Sequence, residues 1–195
     1  MRGIINFFAI LGILAVIFIV YLVKQFEADY IAFNDLDDGA QTVYLNMWKT
    51  LKKTGNVAAA TTWKVPLAEG ISWQDAEESM RFVANDHNIR NVGELPLSEQ
   101  VANMTGQDQR FLKIYQFCNP LTAMKMVNYE DAFSAYLPCR IAMIEDKAGK
   151  YWLYALDMDM MIYGGKSLPQ DLLEEAKKVK MIIQDIMSRG AAGDF

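Results

Sequence analysis

Cys139-Arg140-Ile141-Ala142-Met143-Ile144-Glu145, then Asp146-Lys147-Ala148-Gly149, then Lys150-Tyr151-Trp152-Leu153-Tyr154-Ala155-Leu156-Asp157-Met158 is the stretch that decides the fold. Two apolar runs of strand length flank a short turn, and Gly149 supplies the positive φ such a connection needs, so the stretch predicts a β-hairpin. Both runs are apolar on both faces. That predicts a central place in a sheet.

Working outward, Arg110 to Phe117 sets Leu112 and Ile114 against Phe111, Tyr115 and Phe117 and reads as a further strand. A helix is expected behind Asn119, because Asn caps well and Pro120 fits the first helical position; Leu121, Met124 and Val127 form its expected face. Val57 to Leu67 is rich in β-branched residues and ends at Pro66, so it reads as a strand, as does Asn88 to Leu95. Ser98 to Met104 reads as a short helix. Ser72 with Asp75 three residues on predicts a capped helix with the stripe Trp73, Ala76, Met80, Val83, Ala84 and His87. Ser167, Pro169 and Gln170 open the last helix, whose face is Leu172, Ala176, Val179, Ile183 and Ile186 and whose expected stop is Gly190. Helices alternating irregularly with strands, one pair of them a hairpin, give an α+β fold with helices on a mostly antiparallel sheet.

Gly3 to Val23 holds 21 residues with no charge and only Asn6 as a strongly polar side chain. At about 1.5 Å per residue the run reaches roughly 30 Å, the thickness of a hydrocarbon core. A cleaved signal has a shorter apolar region and a small-x-small site, and Tyr21-Leu22-Val23-Lys24-Gln25-Phe26 offers none, so the run is expected to stay as a single transmembrane helix. Arg2 stands on one side and Lys24 on the other, and the acids Glu27, Asp29, Asp35, Asp37 and Asp38 count little in a rule that follows Lys and Arg. The expected placement is a bacterial inner membrane, amino terminus cytoplasmic and domain periplasmic. Asn6, Ala9, Gly12 and Ala15 recur every third residue and are the candidate contact with another membrane helix, against the plainer reading that small residues are common in such spans. Phe26, Tyr30 and Phe33 extend the helix through the boundary region. Ala40 to Lys53 carries Val43, Met47 and Leu51 at four-residue spacing and reads as an amphipathic connecting helix. The expected division is residues 1–33 as anchor and extension, 34–56 as connecting helix and 57–195 as the α+β domain.

The chain carries a net charge of −5, and setting aside Arg2 and Lys24 with the first 25 residues leaves a net of −7. A surface of that sign repels nucleic acid.

A strand ending in Phe117-Cys118-Asn119-Pro120, then Leu137-Pro138-Cys139-Arg140 entering a strand, then a Gly-containing turn and Lys150-Tyr151-Trp152-Leu153 resembles the domain of unknown function 302 family. The resemblance covers Val57 to Met187. It implies a curved antiparallel sheet backed by helices, of the TATA-binding-protein-like group, and it implies no reaction. Met1 to Asn56 fall outside it as an added anchor and helix. Fold analogy does not license DNA binding, and the acidic charge opposes it.

No complete catalytic set can be read, and no cofactor is implied. Cys118 and Cys139 flank a helix that returns the chain to the sheet, and three readings stay open: a disulfide enclosing about 20 residues, two buried thiols, or metal or redox chemistry. Cys-x-x-Cys is absent. Met158, Met160 and Met161 are soft thioethers suited to Cu(I), with or without a cysteine thiolate, while twelve methionines over the chain favour gap-filling. His87 is the sole histidine, which excludes a site built on two imidazoles. The neighbouring acids Glu77/Glu78 and Glu174/Glu175 read as solvated faces. Gly164-Gly165-Lys166-Ser167 lacks the first glycine of a P-loop and is a weak phosphate signal. Arg140 suits an anion or a local carboxylate.

The leading functional expectation is a non-catalytic accessory or assembly subunit, held by the bilayer and by an integral membrane complex through its N-terminal helix, with a homo-oligomer left open. A small-ligand or lipid-binding domain with a cleft lined by Trp63, Trp73, Trp152 and Tyr154 is the alternative, and a copper or thiol redox protein the third.

Overall fold

The computed structural model describes residues 2–195, and Met1, where the expected anchor segment begins, lies outside them. Helix α1, Arg2–Asn34, runs unbroken through the apolar segment and ten residues past Lys24, and none of its residues is buried. Helix α2, Ala40–Thr54, follows and stops at Gly55, whose φ of 65° is left-handed and whose N–H caps Leu51. Lys52 and Lys53 in its last turn suit the negative end of the helix dipole.

The expected strand from Val57 begins instead as a helical turn. The Asn56 side chain accepts from the N–H groups of Ala58 and Ala59 and starts α3, Val57–Ala60, whose three alanines favour helix. Strand β1 is only Thr62–Pro66. Helix α4, Trp73–Asp86, opens on the predicted capping box, Ser72 and Asp75 each bonding the other's backbone. Then come β2 (Arg90–Leu95), α5 (Leu97–Thr105), β3 (Leu112–Cys118), α6 (Pro120–Tyr129), a 3-10 segment (Asp131–Tyr136), β4 (Cys139–Glu145), β5 (Tyr151–Leu156), α7 (Asp159–Tyr163) and α8 (Gln170–Ala192).

The five strands form one antiparallel sheet in the order β1-β5-β4-β3-β2. The predicted hairpin is β4–β5, turning at Gly149 with φ 79°, and β4 is the middle strand. Register aligns Trp63, Ala155, Ile141 and Tyr115 in one row and Val65, Leu153, Met143 and Lys113 in the next. These rows face α4 and α8. Tyr115, Phe117, Ile141, Met143 and Leu153 are fully buried there with Met80, Val83, Ile183 and Ile186. On the opposite face Ile114, Ala142, Tyr154 and Lys64 share a row, and none is buried.

Three helix details differ from expectation. On α6 the buried residues are Thr122 and Met126, while Leu121 is 78% and Met124 57% exposed. Thr122 bonds Glu175 of α8 and draws that side of the helix inward. Ser167 does not cap α8, since Pro169 holds the cap position without a side-chain bond. Gly190 does not end α8. A Cβ there would lie 2.4 Å from Met80 Cγ, so this glycine lets α8 approach α4, and the helix runs on to Gly193 at φ 70°.

The joint between α1 and the domain is tied at several points. Asp37 N–H donates to Gly165 O at 2.9 Å, Ser167 Oγ donates to Asp37 Oδ2 at 2.7 Å, and Tyr44 OH donates to Gly164 O at 2.6 Å. Lys166 Nζ pairs with Asp35 at 2.7 Å, and Phe33 stacks near Tyr44. The Gly164-Gly165-Lys166-Ser167 stretch, read as a weak phosphate loop, is engaged in this brace.

Candidate functional site: a sulfur-lined chamber at the sheet end

At Cys118 β3 ends, and Asn119 turns the chain by accepting from the N–H groups of Leu121 and Thr122. Helix α6 then carries Met126 back over the end of the sheet, and β4 enters beside it at Cys139. The chain leaves β5 through Met158 into α7, where Met158 and Met161, three residues apart, lie on one side. Cys118, Cys139, Met126, Met158 and Met161 thus line one small cavity of about 30 Å³, closed by Phe117 and Ile183. A wider groove of about 290 Å³ adjoins it, sharing Leu137, Cys139, Met158 and Met161, and extends past Arg140 and Tyr154.

Both cysteines are free thiols. Of the three readings left open, the structure shows no disulfide, and Cys139 pairs with Phe117, one residue before Cys118. Burial pushes the Cys139 thiol up to about 11, with the neighbouring Cys118 adding to the rise, and burial also raises Cys118. Neither is an activated nucleophile, which requires a lowered thiol pKa.

The methionine triad is divided. Met158 and Met161 face the chamber, while Met160 points elsewhere, towards Gly164 and a cleft beside Val43 and Met47 of α2. The sequence reading ran β5 through Met158, but α7 makes this segment helical, and helical spacing parts Met160 from its neighbours. Met126 was missed; its only sequence signal is its place one turn after Thr122. Among the described residues no group of three or more His, Cys, Asp or Glu is placed to hold a metal ion.

Glu77, expected on a solvated face, is only 8% exposed. Tyr115 OH donates to it at 2.5 Å and Lys113 Nζ at 2.9 Å, and Arg81 pairs with it at 2.5 Å. Lys113 and Arg81 reach on to Glu94 of β2. Burial by itself would raise Glu94, but hydrogen bonds from Lys113, Arg81 and Asn91 outweigh it and hold the carboxyl at about 2. Burial and the Glu77 carboxylate push the Tyr115 phenol up. His87 Nε2 lies 2.7 Å from Asp185 Oδ2 and so has a local partner.

The four aromatics expected to line one cleft are separated by the sheet. Trp63 packs against the helix-backed core and Trp73 stacks on Phe111, whereas Trp152 and Tyr154 belong to the other face. Trp152 bonds Asp146, and Lys64 lies over its ring.

Asn6, Ala9, Gly12 and Ala15 are all exposed on α1, and open space surrounds Gly12. At about 100° per residue each step of three drifts roughly 60°, so Asn6 and Ala15 stand on opposite sides of the helix. Only neighbours such as Ala9 and Gly12 share a face.

Among known proteins, the sequence model of a family described as "Domain of unknown function DUF302" matches residues 63–190. A solved structure described as an uncharacterized conserved protein DUF302 from Bacillus stearothermophilus superposes with a TM-score of 0.54 at 14% identity, covering 66% of this chain and 97% of that one. At that identity the likeness concerns the fold. No curated protein matches the chain.

Proposed function

The chain belongs to the DUF302 family, whose name assigns no activity, and we propose that it is a non-catalytic accessory subunit anchored by one span in a bacterial inner membrane. In this reading the domain stands on the periplasmic side and docks on a larger integral membrane complex. The observation that carries it is α1: 33 residues, mean hydropathy 2.8 over its most apolar window, with none of that window buried among the described residues. Apolar area left in water costs about 25 cal/mol per Å², so lipid or another membrane helix is needed to cover it. The brace from Asp35, Asp37 and Tyr44 to residues 164–167 supports a docking role over a loose tether, because it fixes the domain on its helix.

Native purification in mild detergent tests the reading. An integral membrane partner is expected at fixed stoichiometry, and Gly12→Leu, which keeps the helix apolar while filling the narrow side beside Ala9, is expected to release it. Co-purification unchanged in both Gly12→Leu and a poly-leucine span would reduce the helix to a tether. Protease added to intact spheroplasts is expected to remove the domain; survival until the membrane is opened reverses the orientation.

A second reading, an apolar ligand with an anionic end, is favoured by the groove, which places the exposed Arg140 beside Ile114, Ala142 and Leu156. Its volume of about 290 Å³ is near the lower end of small-molecule sites.

A further inference from the structure

The chamber is too small for an organic ligand and has the wrong lining for a hard cation. At about 30 Å³ it holds something the size of one or two waters. Its lining is mainly apolar; besides sulfur the polar side chains are Asn119 and Thr122, which are already bonded to the N–H groups of Leu121 and Thr122 and to Glu175. Two cysteines and three methionines nevertheless line it together, from β3, β4, α6, the β5–α7 turn and α7 itself. Gap-filling accounts for methionine anywhere in a core, but it gives no reason for five sulfurs to share one small space. Met126 is 4% and Met158 5% exposed, so these two thioethers are fixed in packing.

We propose that this chamber is a Cu(I) site, with Cys118 and Cys139 as thiolate ligands and Met126, Met158 and Met161 as the thioethers that complete it. Thiolate with thioether selects Cu(I), because Zn²⁺ takes thiolate, imidazole and carboxylate, and harder ions take oxygen. Each thiol that binds gives up one proton, and the copper stays Cu(I) throughout, so no oxidant or reductant enters. The ion arrives along the adjoining groove, since Cys139, Met158 and Met161 line both spaces. Cu(I) bound here does not depend on the proposed membrane partner.

The test is an anaerobic titration of the reduced full chain in detergent with Cu(I) supplied as its bicinchoninate complex. Transfer of one Cu(I) per chain is expected, with a sulfur-only shell by X-ray absorption. Cys118→Ser and Cys139→Ser are expected to weaken binding at least about a hundredfold, and Met158→Leu with Met161→Leu about tenfold, while Met160→Leu leaves it unchanged. The Met-to-Leu changes nearly conserve volume, so they decide the matter even where a cysteine variant fails to fold. No transfer to the reduced chain, transfer unaffected by either serine variant, or equal weakening by Met160→Leu overturns the site. Isolation with a Cys118–Cys139 disulfide, followed by no copper uptake after reduction, does the same.

Discussion

Glu77 is a carboxylate inside the helix–sheet interface, tolerable only because Tyr115, Lys113 and Arg81 all reach it. Removing one member of a buried ion network costs about 3–5 kcal/mol, chiefly by leaving its partner unpaired. Glu77→Leu is therefore expected to destabilise the chain by about 3 kcal/mol in urea unfolding, and Lys113→Met to cost less in that background than in the unaltered chain, because Lys113 has by then lost one of its two carboxylate partners and keeps only Glu94. An additive double variant would show the network to be incidental. Glu94 gives a pH dependence. Its folded carboxyl is lowered to about 2, so its contribution is complete above the ordinary value near 4.5 and is lost as pH falls towards 2. Thermal unfolding in detergent is expected to lose less stability between pH 6 and pH 3 for Glu94→Gln than for the unaltered chain; equal losses would refute the assignment. Nothing local distinguishes Glu77 from Glu78, because the burial of Glu77 depends on Lys113 and Tyr115, 36 and 38 residues away. Asn119 and Ser72 were legible because their caps are satisfied within three residues.

Among the elements, α8 shows how one residue type serves two ends. Gly190 and Gly193 look alike in sequence, yet the first is a contact and the second a stop. Gly190→Leu is expected to cost about 1–3 kcal/mol by overpacking Met80, read as a lower melting temperature. Gly165→Ala, with open space about its Cβ, is expected to stay within about 0.5 kcal/mol. Equal effects would remove the packing explanation. The hairpin was readable because turn and alternation sit side by side in the chain, and the apolar stripe of α4 because it repeats over four turns. The face of α6 was not, since Leu121 and Met124 are as apolar as Met126, and Glu175 on another helix decides which way it turns. At the end of β5 the apolar run gave no sign that α7 would begin at Asp159 and divide three consecutive-looking methionines.

For the whole molecule, antiparallel α+β architecture followed from local pattern, but the place of β1 beside β5 did not, because those partners lie about 90 residues apart and no local signal links them. The meeting of Cys118 at the end of β3, Cys139 at the start of β4 and Met158 just after β5 is a product of that order. The brace makes α1 and the domain a single angular unit. A helix turns about 100° and climbs about 1.5 Å with each residue, so with α1 spanning the bilayer as proposed, chain length between Lys24 and Asn34 would set the azimuth of the sheet about the membrane normal. Two residues inserted after Phe26 swing the domain about 200° for about 3 Å of height, whereas four return it to within about 40° while lifting it about 6 Å. Were height the controlling variable, the longer insertion would be the more damaging. With azimuth in control, retention of a membrane partner is expected to fail with two added residues and to return with four.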